Sequence, residues 1–180
     1  MNLLSIFQHR HSIRKYTGTP IDDAALTQII QAGLLSASSR SIRPWEFIVV
    51  KDKDMLRHLS ECRTGAARML AGADAAIVVI ANTEASDVWI EDCSIAMANM
   101  HLMADSLGVG SCWIQGRLRT ATTADSGTAS VTTEDYVREC LDFPEGYKLE
   151  AILSLGMPAE EKTPAELSKL PFEKIHYEKF

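Results

Sequence analysis

A cluster of basic and hydroxyl side chains near the N-terminus is the part of this sequence best suited to hold a charged ligand. Residues 9–16 read HRHSIRKY, and five of these eight can be cationic although the whole chain has a net charge of −6. Arg10 and Arg14 are four residues apart, so they would share one face of a helix, and Ser12 adds a hydroxyl donor between them. Guanidinium groups bind phosphate oxygens through paired hydrogen bonds. The cluster predicts either a pocket for a phosphorylated ligand or a solvated helix end whose cations offset the helix dipole.

Composition restricts the class of protein. The 180 residues, 46% of them hydrophobic and 23% charged, predict a single globular domain over residues 1–180. A pI near 5.4 argues against general nucleic-acid binding. The N-terminus does not resemble a signal peptide, and the longest apolar run, Ala75–Ala81, is too short to span a membrane. The four cysteines form no CxxC pair, so we expect reduced thiols, no metal site and a cytoplasmic location.

Hydrophobic periodicity outlines the elements that must position the basic cluster. Helices are predicted at Ile21–Leu35, Met55–Ala71, Trp89–Leu107 and Glu134–Leu141. Strands are predicted at residues 46–50, 75–81, 111–114 and 149–155. The pattern is typical of an α/β or α+β protein with about four short strands.

Two further segments lack a regular pattern. Residues 120–133 are rich in Thr, Ser, Ala and Gly, which predicts a loop that could move over a site. The tail from Ala159 to Phe180 is polar with scattered apolar anchors. We interpret it as an arm that lies along another surface.

Side-chain catalysts are not evident in the sequence. It contains no Walker loop, no HExxH and no GxSxG, and Gly108–Gly110 follows a predicted helix instead of opening one, so a Rossmann turn is excluded. His101 lies within an apolar helix and is interpreted as a hydrogen-bonded core histidine. A protein without an obvious nucleophile and base is expected to rely on a cofactor for its chemistry.

Four stretches, in order along nearly the whole chain, resemble the FMN-dependent nitroreductase family. They are residues 10–16 (RHSIRKY), 36–47 (SASSRSIRPWEF), 106–114 (SLGVGSCWI), and 143–147 (FPEGY) with 155–158 (LGMP). The resemblance implies an α+β fold with three α/β/α layers. A small, mostly antiparallel central sheet would be flanked by helices, and a C-terminal arm would reach the partner subunit.

The resemblance also implies a homodimer with two FMN sites at the subunit interface. On this basis the ribityl phosphate and the pyrimidine side of the flavin would be held by Arg10, His11, Ser12 and Arg14. The other subunit would contribute Ser38, Ser39 and Ser41 near the ring and ribityl chain. Gln115 and Gly116 would lie beside the isoalloxazine. A cation of the C-terminal arm would complete the phosphate site, Lys169 being the first choice and Lys162 the second.

Two positions depart from the pattern of the family. Ser41 replaces its usual Asn, and Arg43 replaces its usual Gln. If Arg43 approaches N1 and O2 of the flavin, its charge would favour the anionic reduced ring and raise the reduction potential. If it points to solvent, it is only a surface charge.

The activity that the resemblance implies is a two-step transfer of electrons. NADH or NADPH would pass a hydride to flavin N5, and an oxidised small-molecule acceptor such as a nitroaromatic or quinone would then take the electrons. Alternatives are another FMN enzyme on the same scaffold, of the dehalogenase or flavin-destroying type, a non-catalytic flavin- or nucleotide-binding protein, and a dimeric scaffold with no cofactor.

Overall fold

A computed structural model describes residues 2–121 and 130–180 of the chain. Within these ranges the helices are α1 (Leu3–His9), α2 (Asp23–Leu34), α3 (Lys53–Leu59), α4 (Trp89–Ser106) and α5 (Thr133–Leu141). The strands are β1 (Trp45–Val50), β2 (Ala75–Asn82), β3 (Gly110–Gln115) and β4 (Tyr147–Gly156). Short 3-10 turns cover Ser39–Ser41, Arg68–Gly72, Leu167–Lys169 and Phe172–Lys174.

The four strands form one antiparallel sheet in the order β1-β2-β4-β3. β2 pairs with a neighbour along both edges, and Ala75–Ala81 is buried on both faces, as its unbroken apolar run predicts. β3 lies at one edge of the sheet. Its inner side is bonded to β4, which leaves its outer side available to other parts of the molecule.

Helices cover both faces of the sheet because successive residues of a strand point to opposite sides. Ile77 and Val79 of β2 belong to a core shared with α2 and α4. Val78 and Ile80 belong to a second core that contains residues of α3 and α5. The α+β fold with three layers and a small antiparallel sheet is therefore confirmed.

The long helix α4 follows its prediction to within one residue. Its buried side includes Cys93, Met97, Met100 and Ala104, and the chain leaves the helix through Gly108 at φ 73°. These apolar side chains pack the central helix against α2 and the sheet. α4 is thus the central element that positions the polar residues at its two ends.

The structure modifies one predicted helix, adds another and leaves one predicted loop mostly outside the described residues. The helix expected over Met55–Ala71 ends at Leu59, and turns follow in which Gly65 has a φ of 71° that favours glycine. Helix α1 was not predicted. Most of the loop at residues 120–133 lies outside the described residues, so its role as a gate stays a prediction. None of the helices in residues 2–121 and 130–180 is long and apolar enough to cross a membrane.

Candidate functional site

The basic cluster at the N-terminus lies along the outer edge of β3. Helix α1 ends at His9, and Arg10 has non-helical backbone angles of φ −58° and ψ 120°. Ser12 forms a parallel bridge with Ser111, and the backbone N–H of Ile13 donates to the Ser111 carbonyl at 2.9 Å. The prediction that Arg10 and Arg14 share a helix face is wrong, because pairing with the sheet edge keeps this segment extended. The same pairing brings Arg10, Ser12 and Arg14 to the start of β3.

Arg10 contacts a buried histidine of α4. Its Nη1 donates to Nε2 of His101 at 3.0 Å, and Nδ1 of His101 is hydrogen-bonded to the Ser111 hydroxyl. Arginine can only donate, so Nε2 must be the acceptor and the proton of the neutral ring is on Nδ1. The prediction of a hydrogen-bonded core histidine is confirmed.

In the pair of Arg10 and His101 the positive charge is on the arginine. Burial, and then the neighbouring Arg10 charge, lower the pKa of His101 to about 4. In the described part of the chain the Arg10 side chain has no carboxylate partner. A half-buried guanidinium beside a neutral imidazole is suited to binding an anion.

Ser12 and Arg14 lie next to the thiol of Cys112. Burial, the largest effect, raises the pKa of this thiol, whereas the nearby Arg14 and Ser12 side chains lower it. Nη1 of Arg14 also reaches the Ser12 carbonyl at 3.5 Å, and its backbone N–H donates to the Glu160 carboxylate at 2.8 Å. The start of β3 therefore collects a hydroxyl and two guanidinium groups.

His11 faces a different recess. Its Nδ1 lies 2.6 Å from the His9 carbonyl oxygen, and His9 in turn contacts Asp105 at 2.9 Å. These three residues and Lys162 line a cavity of about 450 Å³ that Arg10, Ser12 and Arg14 do not line. The structure thus separates the side chain of His11 from those of the other three residues of the cluster.

The far end of β3 carries Gln115 and Gly116. The indole N–H of Trp113 donates to Oε1 of Gln115 at 2.9 Å. A Cβ on Gly116 would lie only 2.6 Å from Cδ2 of Leu149, so the close contact of these two strands requires glycine. From Ser111 to Gln115 the strand advances about 13 Å. An elongated ligand along this edge could contact both groups of residues.

The backbone of β3 also presents hydrogen-bonding groups along this edge. Strand residues direct their backbone groups alternately to the two sides, and Ser111 directs its carbonyl outward to Ile13. Trp113 and Gln115 share this orientation. Among residues 2–121 and 130–180 no backbone group bonds them on the outer side. The edge therefore offers N–H donors and C=O acceptors to a ligand.

A second cavity, of about 630 Å³, adjoins Gly116. It is lined in part by Trp89, Arg117, Arg119 and Lys148. Lys148 is already paired with Glu134 at 2.9 Å, whereas the two arginines bring positive charge to the rim. The recess is open and large enough for a small-molecule substrate.

Ser38, Ser39, Ser41 and Arg43 lie in a tight loop at the N-terminal end of α4. The Ser39 N–H donates to Oδ1 of the buried Asp92 at 2.8 Å, and the Arg43 N–H donates to the Ser38 hydroxyl at 2.9 Å. Arg40, Ser41 and Arg43 have φ values of 51°, 55° and 53°, which are strained for residues with side chains. Such strain is concentrated in functional loops.

One chain does not bring this loop to Arg10. Asp92 and His101 are nine residues apart on α4, which places them about 13 Å apart along the axis and on opposite sides of the helix. The two predicted halves of the site therefore lie at opposite ends of the same helix.

The C-terminal tail leaves the domain after β4. The Ala165 N–H donates to the Gln8 carbonyl at 2.8 Å, and the Gln8 amide returns a hydrogen bond of 2.9 Å to the Ala165 carbonyl. Lys169 lies beyond this point, exposed and paired with Glu166 at 2.7 Å. Lys162 lies closer to Arg14, because it pairs at 2.9 Å with the Glu160 carboxylate that also accepts the Arg14 N–H.

Comparison with known proteins agrees with this arrangement of sheet and helices. The model of the nitroreductase family matches residues 7–62 and 55–157. A solved FMN-dependent nitroreductase from Clostridium difficile R20291 is 43% identical, with a TM-score of 0.91 over 98% of this chain and 99% of that one. The chain belongs to the nitroreductase family.

Two curated relatives extend the comparison. A protein of Archaeoglobus fulgidus, whose name combines NADH dehydrogenase and NAD(P)H nitroreductase, is 36% identical over 98% of each chain. The NADPH-flavin oxidoreductase of Vibrio harveyi is 27% identical over 97% of this chain and 72% of its own length.

Proposed function

We propose that this protein is an NAD(P)H-dependent flavin oxidoreductase that uses FMN. The observation that carries the proposal is the Arg10 guanidinium, held by neutral His101 at the start of β3 without a carboxylate partner in the described residues. Relatives named for NAD(P)H nitroreductase and flavin oxidoreductase activity support it. FMN would supply the redox chemistry, in which a hydride from NAD(P)H is accepted at flavin N5 and passed to an oxidised acceptor such as a nitroaromatic or quinone.

The donor set of β3 and its neighbours is suited to FMN. Arg10, Ser12 and Arg14 would hold the phosphate, because guanidinium and hydroxyl donors match its oxygens. Gln115 and Gly116 would border the ring, where the open strand edge offers backbone donors. His11 would contribute through its backbone, since its imidazole is turned toward the separate cavity.

The remaining part of the site would come from a second copy of the chain. Ser38, Ser39, Ser41 and Arg43 cannot reach Arg10 of the same chain, because α4 lies between them. Several large apolar side chains of the tail are exposed, including Phe172 at 63% and Tyr177 at 82%. Their exposure supports a homodimer in which each tail covers the partner and brings Lys169 toward the partner's phosphate site.

The dimer would be built from single-domain subunits. We assign residues 1–180 to one FMN-binding domain, because both cores share the same sheet. The four cysteines are free thiols, three of them buried, which fits the reducing cytoplasm that the sequence predicts.

An absorption spectrum of the purified protein tests the proposal directly. We expect a flavin spectrum that NADH or NADPH bleaches without oxygen, and whose colour returns when a quinone or nitroaromatic is added. A colourless protein that ignores added FMN would overturn the cofactor assignment. A yellow protein that neither nucleotide bleaches would indicate a flavin-binding protein without this activity. Anaerobic turnover separates the oxidoreductase from a flavin-destroying oxygenase.

A further inference from the structure

Glu150 is a buried acid whose position the proposed reaction does not explain. It is 3% exposed in the central strand β4. Leu149 pairs with Ile80 and Ala151 with Val79, so Glu150 is an extra residue in the register and forms a β-bulge. Its Oε2 is buried and has no hydrogen-bond partner in the described residues. Buried polar atoms of this kind are rare and usually have a functional reason.

The bulge attaches Glu150 to the end of β3. Its carbonyl accepts the backbone N–H groups of Gly116 at 3.1 Å and Arg117 at 3.0 Å. Nε2 of Gln115 approaches the same carbonyl at 3.4 Å, and the nearby Gln115 amide acts to lower the pKa of the Glu150 carboxyl. Since the Trp113 indole donates to the other end of the Gln115 amide, this side chain is held between an indole and the backbone carbonyl of Glu150.

The surroundings of Glu150 favour its neutral form. Burial raises the pKa of this carboxyl, and the Glu91 charge adds to the rise. The Gln115 amide and the Arg117 charge act in the opposite direction and lower the pKa, but burial is the larger effect. Cys93 of α4 is a further titratable neighbour; its pKa is raised to about 12, mainly by burial and then by the Glu150 and Asp92 charges, so its thiol is neutral.

We propose that Glu150 is a positioning residue that lies behind Gln115 and adds to the pH dependence that proton uptake already gives the reduction potential of the bound flavin. The inference rests on the proposed function. Two-electron reduction of FMN with uptake of one proton adds a negative charge to the ring. An ionised Glu150 behind Gln115 disfavours that charge, whereas a protonated Glu150 does not. By linkage, reduction of the ring must favour protonation of Glu150 to the same extent.

The test is the midpoint potential of the FMN-loaded protein, measured against pH with redox dyes. In the wild type the potential should fall more steeply over the pH range in which Glu150 ionises. Glu150→Gln keeps the size and the backbone contacts but cannot ionise, so the steep segment should be lost. Glu91→Gln removes an exposed carboxylate that raises the Glu150 pKa, so it should move the steep segment to lower pH without abolishing it.

Coinciding curves for the wild type and Glu150→Gln would overturn the inference. Should Glu150→Gln fail to fold, Glu150→Met serves the same purpose, because apolar residues often replace buried charged groups without loss of stability. The two proposals fail separately. A protein that binds FMN and is bleached by NAD(P)H, but shows coinciding curves, refutes only the role of Glu150. A protein that binds no FMN refutes both.

Discussion

The Nη1 atom of Arg10 lies 3.0 Å from Nε2 of His101, and this pair links the N-terminal segment to the central helix. The arginine thereby gains a fixed direction without losing its charge, because its partner is a neutral ring. An ion pair with a carboxylate would have fixed it equally well but would have competed with an incoming phosphate. The choice of histidine keeps the cation available for a ligand.

Replacing Arg10 should weaken the binding of FMN. A hydrogen bond to a charged group contributes about 1.5–3 kcal/mol, so Arg10→Ala should raise the Kd for FMN roughly 10- to 150-fold in fluorescence titrations. Binding of riboflavin, which lacks the phosphate, should change little. Arg57→Ala removes an exposed arginine paired with Asp54 on α3 and serves as the control. Equal losses for FMN and riboflavin would contradict a phosphate contact.

His101 should make the apo-protein less stable as the pH falls. Its pKa is about 4 in the fold against an ordinary 6.5, so between these values the unfolded state binds a proton that the folded state does not. The stabilisation is complete above about pH 6.5 and is lost as the pH falls toward 4. Because each pKa unit is worth about 1.4 kcal/mol, the total is on the order of 3 kcal/mol.

Urea unfolding at several pH values measures this effect. The free energy of unfolding should decline less between pH 6.5 and 4 in His101→Gln than in the wild type. His58→Gln, at an exposed position of α3, should retain the decline of the wild type. Parallel curves for all three proteins would show that His101 is not the group responsible.

Gly116 should not tolerate a side chain. The added methyl of Gly116→Ala would lie 2.6 Å from Cδ2 and 2.8 Å from Cγ of the fully buried Leu149. Overpacking of this kind typically costs about 1–3 kcal/mol. The added methyl of Gly72→Ala would have no atom within 4 Å, so this variant should unfold with nearly the free energy of the wild type. Chemical denaturation of both variants tests the contrast, and an unchanged Gly116→Ala would mean that Leu149 can move aside.

The apolar tail should hold the dimer together. Phe172, 63% exposed on one chain, would be covered by the partner, so Phe172→Asp should shift the mass in light scattering from dimer toward monomer. Lys174→Glu changes the charge in the same 3-10 turn without removing an apolar contact, and should remain dimeric. A Phe172→Asp protein that is as dimeric as the wild type would place the interface elsewhere.

The strongly periodic and the fully apolar segments could be predicted from the sequence. The predictions of β2 and α4 are confirmed, because the buried and exposed positions of these elements follow a regular pattern along consecutive residues. The spacing of Arg10 and Arg14 fits one face of a helix, but a spacing of four residues does not reveal that β3 offers an edge partner to Ser12. Short helices such as α1 give too few turns for a periodic signal.

The candidate site could be predicted only in part from the sequence. His101 stood out as a polar residue in an apolar helix, but its contact with Arg10 joins positions 91 residues apart. Glu150 is likewise a polar residue in an apolar segment, the run of β4. The bulge that sets its position, however, depends on the register between β4 and β2. Interactions of this kind are set by tertiary packing and leave no local pattern.

The order in which the chain is synthesised matters for the extended segment after α1. Its backbone is bonded to the region that follows β4, since the Thr17 N–H donates to the Met157 carbonyl and the Ala159 N–H to the Lys15 carbonyl, both at 2.9 Å. This segment is thus held by residues that are translated about 140 positions after it. We therefore expect a nascent chain on the ribosome to remain unable to capture its coenzyme until translation has passed Ala159.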